Sequence, residues 1–333
     1  MTIGELINTT GKQHSPYMGT LVNHLPMGQM ALYRLTGNTE KSIEYTRYFT
    51  QRFRINPFKT GAAPIGSLEE CLGNREDYES CLMVAEEQAK KQGIESLISE
   101  ILNIYPFGMS SGLFHVLIRL AYAVEGLRLD PVLEAETLRA LAYYVTAYRE
   151  AGLLERRIAT ADIFHEMNAL ANHSRIRKLL DEKSSMGQKL KALYEDDTYL
   201  HMGFLLSGSE TEKTQSLLAL LLPAFDQTVS IVVLHCITGL HALLTLRPYF
   251  RDFEEAFDIY TTCCLTHLLT VEKLDYRKQE TASESPDWDE IIRRGTASRD
   301  VHAIKFTYTC HELYLRTGME RLKQSVMHQI NKN

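Results

Sequence analysis

The chain lacks the patterns that announce most common chemistries. No G-x-G-x-x-G follows a strand-like run, so no dinucleotide-binding fingerprint is present. Gly4–Lys12 (GELINTTGK) resembles a phosphate loop, but its spacing is too long and Gln13 replaces Ser or Thr. No H-E-x-x-H occurs, because His165-Glu166 and His311-Glu312 lack the second histidine. No Glu-x-x-His pair occurs either, which weighs against a ferritin-like di-iron bundle. The six cysteines form no C-x-x-C pair. Cys236 and Cys310 sit in apolar runs, where free thiols behave as small hydrophobes. The cysteines therefore read as those of a reducing, cytoplasmic compartment without a disulfide framework. The start, MTIGELINTTGK, has neither the charge nor the apolar run of a secretory leader.

Charge of one sign is nowhere concentrated. The net charge is −6, from 36 basic and 42 acidic residues mixed along the chain. No Lys/Arg cluster marks a nucleic-acid face, and none is expected. Hydrophobic residues make up 44% and charged residues 23%, the balance of a soluble globular protein. One stretch, Thr228–Leu246, carries no formal charge and is long enough to span a bilayer. It holds His235, Gly239, His241 and several hydroxyls, and no second such stretch exists. It reads as the central helix of a large soluble bundle, with no membrane partner.

Nearly every periodic segment has the helical period. Residues 18–36 form an apolar run closed by Gly37 and Asn38, and a second helix runs from Asn38-Thr39-Glu40 to about Phe53. Helices follow at 67–91, 93–104, 109–125 and, after the Asp130-Pro131 cap, to about Ala151. The stretch 155–206 is more polar. Long helices are expected at 212–225, 228–247, 250–273, 298–316 and 318–331. The polar segment 276–287 predicts a mobile surface loop. Only Val229–Leu234 is β-branched enough for a strand, and it runs into a helical pattern. The expectation is an all-α fold: one compact multi-helix bundle over 1–333 with buried central helices, and a candidate subdomain joint near 208–213.

Five histidines stand in apolar helical settings, where an imidazole is costly to bury without a partner. His24 precedes Pro26 at a helix start; it is either a polar end residue bonded to backbone or a ligand. His115 lies among Phe114, Val116, Leu117 and Ile118; its plain role is a core histidine bonded to a carbonyl. His235 and His241 share the chargeless helix but point about 120° apart, so they bracket one site only if it lies between their directions or if Gly239 lets the backbone bend, and otherwise one alone is a ligand. His302 and Lys305 lie about 60° apart on one helix face. A buried lysine is expensive unless paired, here with Asp300 or Glu125, and it otherwise tends to lose its proton. Helices of a bundle converge on one interior, so these imidazoles together suit a zinc, copper, iron or nickel site. His14, His165, His173, His201 and His328 have polar neighbours and read as structural or surface groups. His267 and His311 are ambiguous.

Four ordered blocks carry a family resemblance: NHLPMGQMALYRLTGN (23–38), FHVLIRLAYAVEG (114–126), LHCITGLHALLTLRPYF (234–250) and DVHAIKFTYTCHELYLRTG (300–318). They resemble the signature blocks of questin oxidase-like proteins, and the resemblance runs from about Tyr17 to residue 325. Departures at Met27-Gly28-Gln29 and Ala121–Glu125 touch packing and leave the histidines intact. The resemblance implies enzymes that open anthraquinone rings by oxygen insertion, some with NADPH. It also implies mononuclear non-haem iron held by histidines and a carboxylated lysine. On this chain that set draws on His24, His115, His235 or His241, His302 and Lys305, with Phe114 and Tyr308 walling the pocket. The resulting expectation is an iron-dependent (or other divalent transition metal) oxygenase taking an aromatic small molecule and O2. A homodimer through helix faces is compatible with it. The alternatives are a metalloenzyme of the same fold with non-oxidative chemistry, and a non-catalytic helical binding protein with core histidines.

Overall fold

A computed structural model describes residues 1–152, 156–160, 162–272, 274–277 and 286–332. Seventeen α-helices run through them: Ile3–Gln13 (α1), Leu25–Thr36 (α2), Thr39–Arg52 (α3), Tyr78–Gln92 (α4), Ile94–Ile104 (α5), His115–Leu129 (α6), Glu134–Thr146 (α7), Ile163–Asn172 (α8), Ser174–Asp181 (α9), Met186–Tyr194 (α10), Asp197–Leu200 (α11), Glu210–Thr228 (α12), Ile231–Thr245 (α13), Phe253–Leu269 (α14), Trp288–Ala297 (α15), Val301–Thr317 (α16) and Arg321–Asn331 (α17). The all-helical expectation holds.

The helix limits follow from local chemistry. Asn38 accepts the Glu40 N–H and opens α3, while Gly37 ends α2 with a left-handed φ of 64°. Asp130 accepts the Val132 N–H and starts the turn into α7. Ser209 and Glu212 form a reciprocal capping box at the start of α12, just after Gly208.

Three stretches differ from the sequence reading. Residues 17–22 are not helical but a short antiparallel hairpin, Tyr17–Met18 (β1) with Leu21–Val22 (β2). Gly19 makes its turn with φ of 61°. The polar stretch 155–206 holds four short helices and a parallel pair, Arg156–Thr160 (β3) with Gly203–Leu206 (β4). Val229–Leu234 is no strand. Val229 turns the chain with a left-handed φ of 45°, and Ser230 then caps α13. Most of 276–287 lies outside the described residues.

The core is built on α13. Every residue from Val233 to Thr245 is buried, and α6, α12, α14 and α16 pack around it. Among the described residues no helix is long and apolar enough to cross a membrane. Gly239 serves close packing: a Cβ there would stand 2.8 Å from the Tyr260 hydroxyl and 3.2 Å from Phe114 Cβ. All six cysteines are free and buried.

Candidate metal centre

Four helices deliver one histidine each to a single point, all from their N-terminal ends. His24 immediately precedes α2, His115 opens α6, His235 lies in the second turn of α13 and His302 in the first turn of α16. The ring centroids of His24 and His115 are 4.6 Å apart, those of His115 and His235 4.3 Å, and those of His24 and His302 5.0 Å.

The same side of three of the rings is tied down by a hydrogen bond. His24 Nδ1 donates to the Val22 carbonyl at 2.7 Å, and His235 Nδ1 to the Ile231 carbonyl at 2.7 Å. His115 Nδ1 donates to the Gly112 carbonyl, and His302 Nδ1 lies 3.3 Å from the Asp300 carboxylate. In His24, His115 and His235 these bonds assign the proton to Nδ1, so Nε2 carries a lone pair. The His115 anchor depends on an unusual turn. Gly112, Leu113 and Phe114 take left-handed φ values of 57°, 58° and 62° in succession. Left-handed backbone is costly for Leu and Phe and persists where surroundings enforce it, most often at functional sites.

The lone pairs meet. His115 Nε2 lies 2.8 Å from His24 Nε2 and 3.0 Å from His235 Nε2. The ligand nitrogens of His24, His235 and His302 all fall within 4.8 Å of one another. Lone pairs at these distances repel unless a cation or proton lies between them. Two nitrogens sharing one metal ion at about 2.0–2.1 Å stand about 3 Å apart when bound at right angles. The donor set and its spacing therefore fit a transition-metal ion. Burial and neighbouring positive charge hold His24, His115 and His235 well below the ordinary histidine pKa, in the neutral form that a metal requires.

Lys305 stands one turn beyond His302 on α16 and is fully buried. Its Nζ finds no hydrogen-bond partner, so the pairing with Asp300 or Glu125 open to it in the sequence does not form as a bond. Burial pulls its pKa down to about 7. Its charge is felt by His24, His115 and His235, which sets the amine beside the cluster.

The remaining candidates stand apart. His241, six residues along α13, has its ring 5.6 Å from Tyr308 and its Nε2 3.6 Å from Glu125. The centre thus takes His235 from the chargeless helix and leaves His241 out. Tyr308 faces Tyr122, His241 and Arg34, and Phe114 packs on Tyr260 and His267. Neither lines the cavity in front of the centre; Phe114 packs behind the lining residue His267.

That cavity measures about 1320 Å³, with Phe49, Leu113 and Ile231 among its apolar walls and all four clustered histidines at its floor. Its lining also includes His267, which the sequence left ambiguous, and Tyr194, which the sequence did not single out. His267 donates Nδ1–H to the Cys263 carbonyl at 2.8 Å, which leaves Nε2 as an acceptor at the cavity wall. Tyr194 lines the same wall, with its hydroxyl buried behind it beside Cys263, Tyr199 and Thr266. His267 stood in an apolar helix, but nothing in its spacing linked it to the others. Gly108–Gly112 has G-x-S-x-G spacing, yet a short 3-10 turn precedes it in place of a strand. Its central serine, Ser110, lies in a turn that no strand feeds, so the strand-turn-helix geometry of an acyl-transfer elbow does not form.

A family model described as Questin oxidase-like matches residues 21–310. This chain belongs to that family. The match encloses the four clustered histidines and Lys305. Its description points to oxidase, and so oxidoreductase, chemistry. No curated protein sequence matches the chain.

The neutral histidines make stability sensitive to acid. Burial lowers His241 to about 3 and His267 to about 4 from the ordinary 6.5. The unfolded chain therefore binds more protons than the folded one as pH falls below 6.5. The metal-free protein is expected to lose several kcal/mol between about pH 6.5 and 4. Thermal melting against pH checks this; a flat midpoint through that window contradicts it.

Proposed function

We propose that this protein is a metal-dependent oxygenase acting with O2 on an aromatic, quinone-like small molecule. The observation that carries the reading is the convergence of three anchored imidazoles, Nε2 inward, with His302 beside them, at the floor of a large apolar cavity. His24, His115, His235 and His302 are the residues to hold iron, and imidazole ligation suits it. Bound iron supplies the redox chemistry that no side chain of the cavity possesses. The family resemblance adds a carboxylated Lys305. Its buried, unpartnered amine fits that role, because a carbamate replaces a costly cation with an anionic oxygen donor.

The protein's own part is binding, orientation and exclusion of water. The apolar walls take a flat ring. His267 Nε2 accepts a hydrogen bond from a ring hydroxyl and fixes the ring over the histidine floor.

Oxygen-electrode measurements on iron-loaded protein with a panel of hydroxylated quinones test this. O2 uptake that requires both iron and a quinone is expected. Zinc in place of iron with hydrolytic turnover, or no uptake with any quinone, contradicts the reading.

A further inference from the structure

Among the buried polar atoms without a hydrogen-bond partner, four lie along one seam: Lys305 Nζ, Thr309 Oγ1, Tyr122 Oη and Glu125 Oε2. Lys305 and Thr309 are neighbouring turns of α16, and Tyr122 and Glu125 are neighbouring turns of α6. Both helices start at the histidine centre. Thr309 and Glu312 follow His302 by the same intervals at which Tyr122 and Glu125 follow His115. At 1.5 Å per residue, the seam reaches about 10–15 Å from the centre. The rings of Tyr122 and Tyr308, 5.7 Å apart, join the two helices. The Tyr122 and Thr309 hydroxyls lie near enough to influence each other without forming a bond.

The outer end opens to solvent through Glu125. Tyr122 and Arg128 flank it on α6, and His241, with Thr245 beside it, approaches from α13 at 3.6 Å. Tyr308, Glu312 and Arg316 come from α16, and Arg34 comes from α2. Arg34 Nε donates to the Tyr308 hydroxyl at 3.1 Å and pairs with Glu312 at 4.0 Å. The Arg34 and Glu312 side chains are 32% and 23% exposed, so this rim meets bulk water.

An unmet buried polar group is destabilising, and Phe or Val would fill the Tyr122 and Thr309 positions at less cost. Such groups are commonly met by ordered water, along which protons move. We propose that this seam is a proton path from bulk solvent to the histidine centre, with Glu125 as its entry group. The inference rests on the oxygenase reading. Insertion of one atom of O2 sends the other to water, so substrate, O2, a hydride donor and one solvent proton give oxidised product, water and oxidised donor. That proton is the cargo: the Glu125 O–H breaks, an O–H forms at the next oxygen inward, and bulk water restores the carboxyl.

Two arms on the intact protein test it. Infrared difference spectra of the metal-free protein across a pH titration read the carbonyl stretch of a buried carboxylic acid. A band titrating with a midpoint of about 7, the value to which burial raises Glu125, is expected, and Glu125→Gln removes it. No such band, or one that survives in Glu125→Gln, overturns the proposal. The second arm loads Fe(II) and follows its oxidation by O2 in the parent, Glu125→Gln and Tyr122→Phe. Rates lower by on the order of tenfold or more are expected in both variants, with unchanged iron content and melting temperature. The pH dependence near the Glu125 midpoint disappears in Glu125→Gln. Equal rates with iron bound overturn the path alone, whereas no iron uptake by the parent overturns the oxygenase reading and the path with it.

Discussion

Replacing His302 with alanine removes the metal and leaves the protein folded. His302 lies in the first turn of α16 with its side chain 26% exposed, so truncation leaves no buried void of consequence. Its ligand nitrogen nonetheless belongs to the group within 4.8 Å that includes His24 and His235. Loss of even an outer-shell partner lowers metal affinity about 10–100-fold, and loss of a direct ligand is expected to exceed that. Metal content in His302→Ala should therefore fall below about a tenth of the parent value on that arithmetic. Lys305→Met is the informative companion. It replaces a fully buried, unpartnered amine with an apolar chain of similar length. Removing that desolvated group is expected to stabilise the metal-free protein by about 1–3 kcal/mol while metal retention drops. Metal analysis and urea unfolding of the two variants check both halves; full metal content in both variants contradicts the assignment.

The largest purely structural effect is expected at Glu136. Its Oε1 accepts from Arg119 Nε at 3.1 Å and Nη2 at 2.8 Å, and its Oε2 accepts from Arg139 Nη1 at 3.1 Å. The Arg119 and Glu136 side chains are 2% and 4% exposed. Glu136→Ala leaves two guanidinium groups buried without their carboxylate, at a cost of about 3–5 kcal/mol. Arg119 holds α6 against α7, so the variant should also loosen the helix that carries His115. Urea unfolding of the metal-free protein measures it, and a loss under about 1 kcal/mol contradicts the role given to the pair.

Much of this was legible in the chain. Helix periods, Gly37, the Asp130-Pro131 cap and the chargeless run of α13 mark the bundle because they act locally. The histidines stood out because each sits where an imidazole is costly. The plain reading of His24 and His115, bonded to a carbonyl, and their reading as ligands turn out to describe two nitrogens of one ring. What spacing could not decide was direction. His235 and His241 share a helix, and only the packing of α6 and α16 against α13 separates them. Phe114 and Tyr308 fell outside the cavity lining for the same reason. The hairpin at 17–22 was hidden because two-residue strands have no period, and its Val22 carbonyl is what orients His24. His267 and Tyr194 depend on α10 and α14 meeting across the cavity, which no local pattern records.

The central claim is that the four clustered imidazoles hold a metal ion. Mass-spectrometric metal analysis of protein purified without a histidine tag tests it most directly. Near-stoichiometric iron, lost on chelation and restored by Fe(II), is the predicted result. Protein that is folded and stable yet takes up no transition metal contradicts it, and the clustered histidines are then core residues of a binding protein.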